Sequence, residues 1–146
     1  MFKIYLLAVN YKRIAIVGGI TIVLLYVLFL SYVLILQRDL FYFYGWLDIP
    51  MHWLGGFVIA LGVAMVEYFR QGDTHQPKFY YYQIWWALFL GVAWEYYEFF
   101  TKSHEPSNSL VIDTIADLVN DGVGAFLAVL LILFINHKTE RHIKSK

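Results

Sequence analysis

Seven acidic or histidine side chains lie inside or at the ends of hydrophobic stretches of this 146-residue chain. They are Asp48, His52, Glu95, Glu98, Asp113, Asp117 and Asp121. A charged carboxylate within a bilayer costs about 3 kcal/mol or more, so such residues usually face the interior of a helix bundle and serve a function. Several carboxylates in one small region also repel one another unless some carry protons or a cation lies among them. These residues therefore predict a site that binds protons or a metal ion.

The composition is that of a membrane protein with one domain. Apolar residues make up 60% of the chain and aromatic residues 20%, and the mean hydropathy is +0.58, whereas soluble domains are about 45–50% apolar. We expect residues 1–146 to form a single membrane domain. The absence of cysteine excludes disulfides, thiolate zinc sites and a cysteine nucleophile. The basic residues are few and flank the hydrophobic stretches, which argues against nucleic-acid binding.

Four stretches are long enough to cross the hydrocarbon core as helices, which takes about 20 apolar residues. They cover approximately residues 14–36, 49–69, 79–100 and 112–135. The sequence thus predicts an all-α, polytopic membrane protein with a bundle of four transmembrane helices. We interpret the first stretch as a retained anchor, not a cleaved signal peptide. We expect residues 1–13 to lie at the membrane interface and residues 136–146 to form a basic cytoplasmic tail.

The basic residues predict the orientation, because lysine and arginine accumulate on the cytoplasmic side of membrane proteins. Two lie on one side, Arg38 and Lys102. Nine lie on the other: Lys3, Lys12, Arg13, Arg70, Lys78, Lys138, Arg141, Lys144 and Lys146. Both termini are therefore expected in the cytoplasm, and the connectors at about 37–48 and 101–111 outside it. The acidic residues then lie at the outer ends of the helices, in the inner (plasma) membrane.

Single cysteines introduced into this cysteine-free chain test the orientation. A cysteine at Ser107 is expected to react with an impermeant thiol reagent added from outside, and a cysteine at Gly72 is expected to react only after the membrane is opened. Labelling of Gly72→Cys but not of Ser107→Cys in intact cells would reverse the orientation.

Small residues continue the polar stripes along three of the helices. Residues three or four apart share a helix face, and small residues at that spacing let membrane helices pack closely. The stripes are Asp48, His52, Gly56, Ala60 and Ala64; Ala87, Gly91, Glu95 and Glu98; and Asp113, Asp117, Asp121, Gly124, Ala125 and Ala128. We expect the last three helices to pack through these faces and to open into a carboxylate-lined pocket, with the first helix peripheral. Such stripes also make a homodimer a candidate assembly.

These motifs resemble those of the VanZ-like membrane proteins and, more closely, the YjdF-type family of small inner-membrane proteins. Three pieces carry the resemblance: Asp48-x3-His52, Trp94-Glu95-x2-Glu98, and Asp113-Thr114-x2-Asp117 followed by Asp121-x2-Gly124-Ala125. The resemblance covers about residues 46–126. It implies a bundle of four or five helices with a polar outer cluster, and it implies little about the chemistry.

Several of these residues also have purely structural interpretations. Asp48 and Asp113 are placed to cap the helices that follow them, and His52 can bond a backbone carbonyl at the interface. Glu98 and His104 can be solvated at the membrane edge. Asn120 can donate to a carboxylate or bond across helices.

Glu95, Asp117 and Asp121 are deeper, and no lysine or arginine lies in the last three stretches to pair with them. Protons or a metal therefore remain as partners for these acids.

The predicted ligands of a metal are His52, Glu95, Asp117 and Asp121, with Asp113 in support. Carboxylate oxygens suit Mg²⁺ or Mn²⁺, and an added imidazole suits Zn²⁺ or Mn²⁺. The expected catalytic residues are Glu95, Asp117 and Glu98.

The leading hypothesis is a divalent-metal-dependent hydrolase or transferase acting on an outer-leaflet lipid or lipid-linked substrate, with membrane lipid as the main partner. The alternatives are a proton- or cation-coupled transporter and a non-catalytic subunit or assembly factor.

Overall fold

The computed structural model describes residues 2–37, 44–70, 76–101 and 110–144. The labelling positions Gly72 and Ser107, together with His104, lie outside these ranges. The described chain is helical almost throughout, so the prediction of an all-α protein is confirmed. A short 3₁₀ turn, Gly45–Leu47, precedes the second helix. The four helices are α1 (Phe2–Gln37), α2 (Asp48–Phe69), α3 (Pro77–Thr101) and α4 (Leu110–Lys144).

Three of the four helices are long and apolar enough to cross a membrane. The qualifying segments are Tyr11–Leu34, Asp48–Phe69 and Val111–Thr139. The 25 residues of α3 would reach about 37 Å at about 1.5 Å per residue. Polar residues such as Gln83 and Glu95, together with many tyrosines, lower its mean hydropathy. A multi-pass membrane protein is confirmed, whereas α3 as a fourth span and the orientation stay predictions.

The first and last helices extend beyond the predicted spans. Residues 2–13 continue directly into the first span within α1, and α4 continues through residues 136–144. The interfacial position of the first segment and the cytoplasmic position of the second remain predictions, because a helix alone does not show where the membrane boundary lies.

Helix α2 is the centre of the bundle. It packs against each of the other three helices, and most extensively against α4. Its buried face includes Gly56, Ala60 and Ala64, and the facing part of the core includes Ala125 and Ala128 of α4. The predicted packing through small residues is therefore present between these helices.

The closest approach of α2 and α4 depends on two glycines. A Cβ atom on Gly56 would collide with the backbone carbonyl oxygen of Asp121, and one on Gly124 would collide with the carbonyl oxygen of Trp53. The indole Nε1 of Trp53 donates a 2.8 Å hydrogen bond to Oδ1 of Asn120 beside this crossing. Asn120 therefore bonds across helices, which is one of its two predicted roles. Because the small stripes are used inside one chain, a homodimer would need a different surface.

A second polar group joins the helices at the opposite end of the bundle. The Tyr68 hydroxyl, on α2, donates a 2.9 Å hydrogen bond to Oδ1 of Asn136, on α4. The guanidinium of Arg13, on α1, lies 6.0 Å from the centre of the Tyr68 ring. All three residues are buried, and their mutual contacts link α1, α2 and α4, as expected for polar groups removed from solvent.

Helix α1 lies on one side of α2 but is not remote from the polar cluster. Val17 is fully buried, and a Cβ on Gly18 would lie 3.2 Å from Sδ of Met65 in α2. Near the acidic end of the bundle, Tyr32 of α1 contacts Trp94 of α3 edge to face, with 5.9 Å between ring centres. Helix α1 therefore forms a wall beside the site, which the expectation of a peripheral helix did not include.

Candidate metal centre

His52 lies at the centre of the acidic cluster. Its side chain is 6% exposed, and it lies one helical turn after Asp48, the first residue of α2. Residues four apart share a face, so Asp48 faces the imidazole, with Oδ1 3.6 Å from Nε2 of His52. Pro50 lies in this first turn, where its missing N–H costs no helical hydrogen bond.

The same imidazole nitrogen faces carboxylates from two other helices. Nε2 of His52 lies 3.8 Å from Oε1 of Glu95 on α3 and 3.8 Å from Oδ1 of Asp117 on α4. These distances are longer than N–H···O hydrogen bonds, which are about 2.7–3.2 Å. Three helices thus bring oxygen atoms around one nitrogen at nearly equal distances.

The spacing is close to that of ligands around a divalent ion. Zn²⁺ binds nitrogen and oxygen ligands at about 2.0–2.2 Å, so neighbouring ligands of a tetrahedral site are about 3.3–3.6 Å apart. The distances of 3.6–3.8 Å from Nε2 to the three carboxylates are only slightly larger. Ligand atoms of Asp48, His52 and Asp117 all lie within 4.8 Å of one another. These residues can hold a metal after a small contraction.

The other imidazole nitrogen is held by Asp121. Nδ1 of His52 lies 3.3 Å from Oδ1 of Asp121, and the second oxygen, Oδ2, is buried without a hydrogen-bond partner. A Cβ on Gly91 of α3 would collide with this carboxylate, so a glycine there makes room for it. In metal sites a ligating histidine usually donates its other N–H to a carboxylate, which fixes the ring orientation. Asp121 is in the position for that role.

The charge of the cluster requires protons or a cation. Glu95, Asp117 and Asp121 are 7%, 4% and 3% exposed, and with Asp48 they place four carboxyl groups around one imidazole. A protonated His52 would balance only one of four negative charges. Since like charges at this distance disfavour ionisation, the remaining carboxylates need bound protons or a metal ion.

The predicted site residues take different positions around His52. Glu95 and Asp117 lie on the Nε2 side, whereas Asp121 lies on the Nδ1 side. Asp113 precedes Asp117 by one turn and is half-buried; among the described carboxylates it is not one of the four within 4.0 Å of His52. Asp48 joins the Nε2 side, although the sequence analysis did not include it among the ligands.

Two capping predictions are wrong. The N-cap of α2 is Leu47, with no side-chain cap, because the preceding turn already has helical geometry and leaves Asp48 inside the helix. Asp113 lies within the first turn of α4, since that helix begins at Leu110. The prediction that His52 bonds a backbone carbonyl is also wrong, because Nδ1 lies at hydrogen-bond distance from Asp121 and Nε2 faces three carboxylates. The i, i+4 spacing to His52 was the signal that could have identified Asp48.

A cavity of about 640 Å³ lies beside the cluster, between α1, α2 and α3. Asp48, His52, Glu98 and Asp121 contribute its acidic and imidazole groups. The other lining residues are Leu25, Leu28, Phe29, Tyr32, Met51, Gly55, Val58, Ile59, Leu90, Gly91, Ala93, Trp94 and Tyr97. An apolar cavity with a few convergent polar groups is the usual form of a small-molecule site. Glu98, half-buried in this wall, is placed to contact a molecule bound there.

Comparison with known proteins identifies the family but no relative of known structure. No curated protein and no solved structure shows significant similarity to the chain. A family model matches residues 1–138, which include all four helices up to the last turns of α4. The description of that family agrees with the three helices that are long and apolar enough to cross a membrane. The chain therefore belongs to the family described as "Predicted membrane protein (DUF2238)".

Proposed function

We propose that this protein is a divalent-metal-dependent membrane enzyme that acts on a lipid or lipid-linked substrate. The proposal rests on the arrangement of four carboxylates around the imidazole of His52. Nε2 faces three carboxylates at 3.6–3.8 Å, and Nδ1 is fixed by a fourth. The ligands would be Asp48, His52, Glu95 and Asp117, while Asp121 orients the imidazole. Zn²⁺ and Mn²⁺ suit this combination of nitrogen and oxygen donors better than Mg²⁺, which prefers oxygen alone.

The arrangement supports a reaction at the end of the cavity. A bound divalent ion would polarise a phosphoryl or carbonyl oxygen, or lower the pKa of a bound water. With Glu95 and Asp117 acting as ligands, Glu98 is the carboxyl group left in the cavity wall for proton transfer to or from the substrate. Hydrolysis and group transfer both fit these parts.

The proposal also includes the membrane leaflet that would supply the substrate. The distribution of basic residues predicts that the cluster lies at the outer ends of the helices, so the substrate would come from the outer leaflet of the plasma membrane. The resemblance to VanZ-like and YjdF-type proteins is compatible with this position, since it also implies a polar outer cluster.

Transport is the second candidate, because buried acids also occur in proton relays. The packing argues against it. The described core of the bundle is mainly apolar, with Ala60, Leu61 and Ile132 among its residues, and its buried polar side chains include the uncharged Gln83 and Thr21. Among the described buried residues, no carboxylate or histidine outside the His52 cluster is available to carry a proton or cation further through this core. A non-catalytic subunit or assembly factor remains the third candidate.

Chelation is expected to lower the melting temperature of the purified protein, and one divalent ion is expected to restore it. A ligand that binds only the folded state stabilises it by about 2.7 kcal/mol at a free concentration 100 times its Kd. Asp117→Asn should remove most of this response, because it takes one carboxylate from the Nε2 side. Asp113→Asn, one turn away on the same helix, is the matched control and should keep it. Thermal melts and elemental analysis of the three proteins measure the effect.

A different result of the same melting experiments would argue against a bound metal. If melting is indifferent to chelator but rises as the pH falls through the carboxylate range, the acids are held by protons. The relay would then replace the metal enzyme as the explanation of the cluster.

A further inference from the structure

We propose that the cavity between α1, α2 and α3 is a groove for one hydrocarbon chain of a membrane lipid, which enters sideways between α1 and α3. The head group of that lipid would lie against the His52 cluster. Gly55, in the floor of the groove, sets the space available to the chain. The reaction at the head group rests on the proposed function, whereas binding of the chain does not.

The length of the groove matches the tail region of one leaflet. On α2 the lining residues run from Asp48 to Ile59, which corresponds to about 16 Å at about 1.5 Å per residue. The hydrocarbon core of a bilayer is about 30 Å thick, so the groove covers roughly half of it. Its charged side chains lie at the end next to His52, and residues such as Leu25 and Ile59 line the other end. This polarity is that of a single lipid chain with its head group attached.

The walls leave an opening toward the bilayer. Helix α2 packs against both α1 and α3 and forms the floor, while Tyr32 and Trp94 join the two walls near the polar end. Leu28 of α1 and Leu90 of α3 face the cavity below this contact. Two of the three helices around the groove, α1 and α2, are apolar enough to cross a membrane, and with α3 as the predicted further span hydrocarbon would be the surrounding solvent. A lipid of the adjacent leaflet is therefore the occupant that can reach the groove without leaving the membrane.

The charged side chains at the polar end of the groove determine which lipid head groups can bind there. Asp48, His52, Glu98 and Asp121 border the cavity, so an anionic group would be repelled by the bare carboxylates. With a metal held by Asp48, His52, Glu95 and Asp117, the same end accepts a phosphoryl or carbonyl oxygen. A chain with a neutral head group can bind in either case, and this difference separates the two proposals experimentally.

Gly55 offers a way to fill the groove without disturbing the helix contacts. The nearest atom to a Cβ built on Gly55 is Oδ1 of Asp121, at 3.8 Å, which is ordinary van der Waals contact. A leucine at this position would occupy the groove beside the cluster. Gly62, on the same helix, has no atom within 4 Å of its added Cβ and does not line the cavity. It is the matched control.

The test measures binding of two 16-carbon single-chain probes, a lysophosphatidic acid and a monoacylglycerol, to the protein in amphipol by native mass spectrometry. The native protein should bind one molecule of each. Gly55→Leu should weaken binding of both at least tenfold and shift the preference toward an 8-carbon chain, whereas Gly62→Leu should bind like the native protein. Ala93→Phe, on the α3 wall, should also weaken binding of both probes. It replaces Gly55→Leu as the test variant if Gly55→Leu does not fold. Chelator should weaken only the lysophosphatidic acid.

Equal binding of both probes to the native protein, Gly55→Leu and Ala93→Phe would overturn the groove, whatever chelator does. An equal loss in the Gly62→Leu control would also overturn it, because that position does not line the cavity. If both groove variants lose the probes while chelator has no effect on either, the groove stands and the metal enzyme fails. A shift toward shorter chains in Gly55→Leu supports the groove directly, since general destabilisation would not change chain-length preference.

Discussion

Gly56→Ala is expected to destabilise the protein by about 3 kcal/mol or more, the upper range for a side chain forced into a packed core. The added methyl group would collide with the backbone carbonyl oxygen of Asp121, so α2 and α4 could keep their crossing only by moving apart. Because Asp121 also holds Nδ1 of His52, the same substitution should weaken any response to metal. The measurement is thermal or denaturant-induced unfolding in detergent, followed by circular dichroism.

For Gly62→Ala, on the same helix, we expect no loss of stability. Its Cβ would meet no atom within 4 Å, and alanine is favoured over glycine in helices by about 1 kcal/mol. We therefore expect Gly62→Ala to leave stability unchanged or to raise it slightly. Similar unfolding of the two variants would show that the crossing of α2 and α4 is not as close as the structure has it.

The second large effect is expected from His52→Ala. Removing one partner of a buried charged group costs about 3–5 kcal/mol, because the remaining charges lose their compensation. Here the remaining groups are four carboxyl groups, Asp48, Glu95, Asp117 and Asp121. The variant should therefore unfold more readily than the native protein at neutral pH and should lose the metal response.

The pH dependence of His52→Ala follows from proton binding. Lowering the pH neutralises the carboxylates that repel one another, so we expect the free energy of unfolding of the variant to fall as pH rises and to recover as pH falls. Melting temperatures of the variant measured from about pH 7 down to about pH 4 should approach those of the native protein. His137→Ala, an exposed histidine on α4, is the control. A His52→Ala variant that melts like the native protein at neutral pH and still responds to metal would contradict the assignment of His52 as the central ligand.

Local sequence patterns were enough to predict the class of the protein and the buried faces of its helices. Hydrophobic length predicts helices that cross a membrane, and two of the three qualifying helices contribute to the acidic cluster. The spacing of four residues from His52 to Gly56 and Ala60 predicts one buried face, because this periodicity is a local property of the α-helix. For the same reason the sequence indicated that Glu95, Asp117 and Asp121 belong to buried faces, as they do.

Which atoms meet in the site depends on how the helices pack against one another. His52 and Asp121 are 69 residues apart, and the imidazole nitrogen that faces each carboxylate depends on the relative height and rotation of α2, α3 and α4. Those quantities are fixed where the backbones touch, at Gly56 and Gly124. A helical period carries no information about them. The cavity could not be predicted from the sequence either, because α1, which forms one of its walls, has no stripe of polar or small residues. The cavity forms because α1 and α3 are separated from each other where both pack on α2.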